Sequence, residues 1–132
     1  LDHDARVYDV ATGRAILLAG HADVVFDAHF APDGRRVVTS SRDRTARIWT
    51  LPDAGSVTLP HPEAVSDARF TSDGTAVLTC ARDGAVRIWS RAGTLRAEGW
   101  HGDFVTSVAV LGYGRCATGS YDGTVAVWAT GH

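Results

Sequence analysis

The sequence predicts an all-β fold assembled from repeated four-stranded antiparallel units, on three observations. Tryptophans at 49, 89 and 128 recur after 40 and 39 residues, and histidines at 21, 61 and 101 after 40 each time. Asp43, Asp83 and Asp122 each precede a Trp by six residues, and Thr39, Thr79 and Thr118 each precede that Asp by four. Short β-prone runs alternate with Gly-containing turns, and no segment sustains the 3.6-residue apolar period of a helix.

The first strand of each unit is expected at 25–30, 65–70 and 105–110, all rich in Val and Phe or other β-formers. Turns follow at Pro32-Asp33-Gly34, Ser72-Asp73-Gly74 and Gly112-Tyr113-Gly114, where glycine accepts positive φ at little cost. Second strands are expected at 37–40, 76–80 and 116–119. Tight turns come next, at Arg42-Asp43-Arg44, Arg82-Asp83-Gly84 and Tyr121-Asp122-Gly123, then third strands at 45–50, 85–90 and 124–129. A more variable fourth strand falls at 15–18, 56–59 and 94–97. Four short strands every ~40 residues are the pattern of a β-propeller blade. A single blade is too thin to bury both faces, so stacked blades carry apolar residues on both sides.

The order His, then a turn Asp-Gly, Thr, Asp and Trp resembles the WD-repeat family of β-propellers, over nearly the whole chain. The resemblance implies a hydrogen-bonded structural quartet in each blade: His21–Thr39–Asp43–Trp49, His61–Thr79–Asp83–Trp89 and His101–Thr118–Asp122–Trp128. The chemistry agrees: an indole N–H only donates, a threonine hydroxyl donates and accepts, and a carboxylate accepts an imidazole N–H. The sequence departs from the family where Trp-Asp becomes Trp49-Thr50, Trp89-Ser90 and Trp128-Ala129, and where Gly-His survives only at Gly20-His21.

Asp2 lies six before Tyr8, and Ala5-Arg6-Val7-Tyr8 parallels Ala46-Arg47-Ile48-Trp49, so 1–9 is read as the third strand of a preceding blade. Residues 10–50, 51–90 and 91–129 are then successive fourth-first-second-third strand units. About three and a third blades make an incomplete ring. The remaining blades are expected from the same longer chain or from other copies.

The 132 residues carry 15 acidic and 13 basic side chains, a balance that excludes the basic stripe of a nucleic-acid or anionic-membrane binder. All the basic residues are Arg, and Lys, Met, Asn and Gln are absent, a skew that points to GC-rich coding and a bacterial source. Cys80 and Cys116 form no CxxC and are expected as small buried residues. No apolar run approaches a membrane span and no signal peptide is visible, so a soluble cytoplasmic protein is expected.

The three His occupy equivalent positions and do not converge, so no metal site is expected. A Ser120–His101–Asp122 triad lacks a strand-to-helix elbow. Neither a cofactor nor catalysis is expected. The resemblance places partner contacts at Val24, Phe26, Arg42, Ala64, Ser66, Arg82, Phe104, Thr106 and Tyr121. Among these, Phe26, Arg42, Arg82, Phe104 and Tyr121 combine aromatic surface with cations, the residue types of binding hot spots. They suit a protein or peptide carrying an acidic or phosphorylated group. The expected function is a non-catalytic interaction scaffold; the alternative is a docking segment of a multidomain enzyme whose catalytic domain lies elsewhere.

Overall fold

The computed structural model describes residues 3–112 and 114–130. Asp2 and the centre of the Gly112-Tyr113-Gly114 turn lie outside the described residues. Every regular element is a β-strand. The first two, β1 (Ala5–Tyr8) and β2 (Ala15–Leu18), form an antiparallel pair. The next four, β3 (Val25–Phe30), β4 (Arg36–Ser41), β5 (Thr45–Thr50) and β6 (Gly55–Pro60), form a four-stranded meander. A second meander repeats it with β7 (Val65–Phe70), β8 (Ala76–Ala81), β9 (Ala85–Ser90) and β10 (Leu95–Trp100). The third sheet holds β11 (Val105–Leu111), β12 (Arg115–Ser120) and β13 (Val125–Ala129). The β1–β2 pair and the two four-stranded sheets therefore take their last strand from the start of the following sequence repeat. The strand β10 runs three residues past the expected end at 97, pairing Glu98 with Arg87 and Trp100 with Ala85.

First strands of neighbouring sheets lie side by side, β3 beside β7 and β7 beside β11, while the outer strands β6 and β10 are not packed together in this way. The sheets thus fan outward from their first strands, as blades do. Apolar layers fill the wedges between them. Val38, Ile48 and Leu59 of one blade meet Val65, Phe70 and Trp89 of the next. Leu78, Val86 and Ile88 in turn meet Val105, Val108 and Cys116, with Trp128 against them. Leu18, Val7 and Ile16 cover Trp49 in the same way. The middle blade, sandwiched on both sides, has every residue of β8 buried, whereas β13 alternates between exposed and half-buried. This is the physical content of the repeat: a blade acquires a two-sided core only from its neighbours.

One extra residue interrupts the pairing of first with second strand in each blade, between Val25 and Asp27, Val65 and Asp67, and Val105 and Ser107. Such β-bulges leave a residue unpaired and re-aim its side chain. The bulged residues are Phe26, Ser66 and Thr106.

The turn between second and third strands needs a left-handed residue. Gly84 and Gly123 supply it at φ 88° and 85°, but the first blade places Arg44 there at φ 72°. A left-handed conformation costs an L-residue about 1–2 kcal/mol, partly offset by the greater unfolded-state freedom of glycine. Arg44→Gly is therefore expected to raise stability by about 0.5–1 kcal/mol, read as a higher denaturant midpoint at unchanged slope. A lower midpoint would contradict the strain.

Candidate functional site

Two sets of side chains emerge from this frame, one inside the blades and one on their surface. The inner set begins with a tryptophan on each third strand, buried at Trp49 and Trp89 and half-buried at Trp128. Trp49 Nε1 donates to Thr39 Oγ1 at 3.0 Å, Trp89 Nε1 to Thr79 Oγ1 at 2.9 Å and Trp128 Nε1 to Thr118 Oγ1 at 2.7 Å. Each hydroxyl, having accepted, donates onward to a histidine Nε2: His21 at 2.6 Å, His61 at 2.7 Å and His101 at 2.7 Å. The relay fixes the tautomer, because an Nε2 that accepts leaves Nδ1–H to donate. Each histidine stands in the loop after the fourth strand of the preceding sheet, so the relay fastens one blade to the next.

The fourth member of the expected quartet differs between blades. His21 Nδ1 donates to Asp43 Oδ2 at 2.8 Å, and Asp43 also accepts from Ala22 N and the Thr45 hydroxyl. In the third blade His101 Nδ1 meets Thr124 Oγ1 at 3.0 Å, with Asp122 Oδ2 at 3.4 Å. In the second blade His61 Nδ1 instead donates to the Leu59 carbonyl at 2.9 Å. Asp83, expected beside His61, pairs with Arg87, whose Nε also donates to Glu98 at 2.9 Å.

Substitution at two positions accounts for this correction. Where the other blades have Ser41 and Ser120, then Thr45 and Thr124, the second has Ala81 and Ala85. The Ser and Thr hydroxyls hold the turn and carboxylate in place, through Ser41 to Asp43 N and Ser120 to Asp122 N. Without them the Asp83 carboxylate follows Arg87, which β10 brings opposite Glu98. Lining up the three repeats exposes both alanines, so the signal was in the sequence. The consequence for pairing depended on Arg87 and Glu98, which only the strand register brings together.

Charge follows geometry. Burial lowers His21 and pushes His61 down to about 4. Burial alone would raise Asp43, but Thr45, Ala22 N–H and His21 outweigh it and hold the carboxyl at about 2. The Thr124 hydroxyl and Gly102 N–H hold Asp122 well below the usual carboxylate range. Cys80 and Cys116 are free and buried, which raises both thiols, Cys116 to about 11. Thiols so protonated are poor nucleophiles and poor metal ligands.

The outer set lies where the bulges project. A groove of about 240 Å³ is lined by Phe26, Ser66, Arg82, Phe104, Thr106 and Tyr121. The Arg82 guanidinium sits over the Phe26 ring at 5.4 Å, and the Phe104 and Tyr121 rings lie 5.6 Å apart at 37°. Backbone bonds from Arg82 N to Ala64 O and from Tyr121 N to Phe104 O tie each strand turn to its entry loop. Four of the five candidate contact residues thus converge. Arg42 does not line this groove, and its guanidinium is held by Asp23 at 2.9 Å.

The repeats match the family model described as WD domain, G-beta repeat over residues 12–50, 56–90 and 93–129. The chain belongs to the WD-repeat family. It is similar to WD repeat and SOCS box-containing protein 1 of Danio rerio, 48% identical over 54 residues, or 39% of this chain and 13% of that protein. The WD repeat-containing protein 26 homolog of Arabidopsis thaliana is 32% identical over 60 residues, covering 46% of this chain and 10% of that protein. Jouberin of Rattus norvegicus is 41% identical over 44 residues, covering 33% and 4%. The match thus spans about an eighth or less of each relative's length. These relatives are eukaryotic, and the bacterial source expected from the arginine skew finds no support in them.

Thr79→Val removes the centre of one relay and leaves the Trp89 N–H and His61 Nε2 without their partner. A loss of about 2 kcal/mol is expected from chemical unfolding; a loss within error of zero would contradict the relay. His61 also sets a pH dependence. Its folded-state value lies below that of the unfolded chain, so the unfolded state takes up a proton first as pH falls. Its contribution is complete above about pH 6.5 and lost toward about pH 4, a total of about 3 kcal/mol. His61→Phe carries no such proton, and its stability should fall less steeply over that window. An identical slope in the two proteins would contradict the assignment.

Proposed function

We propose that this chain is a non-catalytic protein-interaction platform whose contact surface is the groove floored by Phe26 and Ser66 and walled by Arg82, Phe104 and Tyr121. The observation that carries this reading is the convergence of three bulged residues and two turn residues from successive blades on one concavity. Phe26, Phe104 and Tyr121 are exposed there at 38%, 40% and 69%, which leaves aromatic surface unspent on the core. Rigid aromatics lose little entropy on binding, and a guanidinium forms bidentate bonds with carboxylate or phosphate. Arg82 has no ion pair at its head group competing with such a partner among the described residues, whereas Arg42 already has Asp23. The preferred partner is therefore a peptide segment with an apolar side chain flanked by one acidic or phosphorylated residue. The histidines and aspartates best placed for chemistry are engaged in holding blades together, which favours binding over catalysis.

A second proposal concerns the setting. The relative from Danio rerio is named for a SOCS box besides its WD repeats. That favours these blades serving as one recruiting sector of a longer multidomain protein, an enzyme-linked one included. Buried free thiols fit a reducing compartment such as the cytoplasm.

The test is affinity measurement against an array of acidic and phosphorylated peptides, with unmodified peptides as controls. Arg82→Ala and Phe104→Ala are each expected to weaken binding by about tenfold or more while leaving the melting temperature within a few degrees. Binding unchanged by both substitutions would place the contact surface elsewhere.

A further inference from the structure

The bulges that aim Phe26 and Ser66 into the groove also set the direction of the residues after them. On β3, Asp27 and His29 are two residues apart and share a face, and the adjacent β7 brings Asp67 to the same point. His29 Nε2 lies 3.1 Å from Asp27 Oδ2 and 3.5 Å from Asp67 Oδ1. The three donor atoms all fall within 4.8 Å of one another. The nitrogen is buried yet makes no hydrogen bond with either carboxylate, although both are close enough to accept one. An orphaned buried ring nitrogen between two carboxylate oxygens is an arrangement that a cation would satisfy.

We propose that Asp27, His29 and Asp67 form a binding site for a divalent transition-metal ion of the zinc type, joining the first strands of two neighbouring blades. Four-coordinate zinc with bonds of about 2.0–2.1 Å holds its donors about 3.3 Å apart, a value that the two separations to His29, 3.1 and 3.5 Å, bracket. The imidazole selects against Ca²⁺ and Mg²⁺, which take oxygen ligands, and favours zinc or its first-row neighbours. Three protein ligands leave a position open to water. Asp67 is anchored for this role: its side chain is 5% exposed, Oδ2 accepts from Val108 N on β11 and Oδ1 from Ala68 N. Arg69 Nε faces Oδ2 at 3.8 Å, leaving Oδ1 as the atom turned toward His29. Asp27, at 45% exposure, has room to close on an ion. The site lies outside the Trp–Thr–His relays and the groove, and its ligands come from two blades, a spacing that no short sequence motif encodes.

The protein is treated with chelator, dialysed, and titrated with zinc chloride by calorimetry, with cobalt(II) absorption reporting the coordination number. One zinc per chain is expected, together with a melting temperature that rises with zinc concentration. His29→Gln and Asp27→Asn should each weaken zinc binding by more than about tenfold while their zinc-free melts stay near that of the parent. Asp27 is exposed, so its variant keeps the test informative even if His29→Gln loses stability. The competing use of the same atoms is an imidazolium bridging two carboxylates. In that case zinc produces neither binding heat nor a shift in the melt, and the proposal is overturned. Binding that survives both substitutions would put the metal on other histidines and overturn it equally.

Discussion

A buried indole N–H has one proton to give and no tolerance for being left without an acceptor. Each blade resolves this with a threonine hydroxyl on the neighbouring strand, and that hydroxyl must in turn give its own proton away. The histidine that takes it stands on the loop from the preceding blade. A requirement local to one side chain is thereby converted into a link between blades. The apolar wedges supply most of the burial, but they are non-directional and would tolerate sliding. The relay is directional, and it fixes where each loop must enter.

A single inserted residue separates the core-facing from the groove-facing positions of each first strand. Were the first strands regular, Phe26, Ser66 and Thr106 would take their turn in the pleat as part of the ladder. The bulge frees them to point at the groove, while Val65 and Val105 pack inward. Because the insertion recurs at the same register in three blades, the surface it builds is continuous. The same geometry brings Asp27 and His29 toward Asp67. The blade core can stay constant while the bulged and turn residues vary, which is how one fold comes to serve different partners.

Much of this was legible in the residue spacing. The 40-residue register of Trp, Asp, Thr and His located every strand of the three repeats to within three residues, because these groups satisfy one another at fixed places in a blade. The common face of Phe26, Arg82, Phe104 and Tyr121 was implied by the family resemblance, carried over by position from blade to blade. What could not be read were contacts decided by strand register and by competition between charges. The partnership of Asp83 with Arg87 depends on Glu98 lying opposite, and on the loss of hydroxyls at Ala81 and Ala85. Arg42 is drawn away by Asp23, nineteen positions earlier; acids recur at 23, 63 and 103, but the spacing does not say which of them takes an arginine. The meeting of His29 with Asp67 crosses between blades, where sequence distance says little about space.

The Trp89 N–H and the Thr79 hydroxyl are coupled, so that each is worth more with the other present. A double-mutant cycle of Trp89→Phe and Thr79→Val, followed by chemical unfolding, measures that coupling directly. A coupling energy of about 1 kcal/mol or more is expected, since either substitution alone already breaks the relay. Strictly additive losses would contradict it, and would mean that packing alone holds the blades in register.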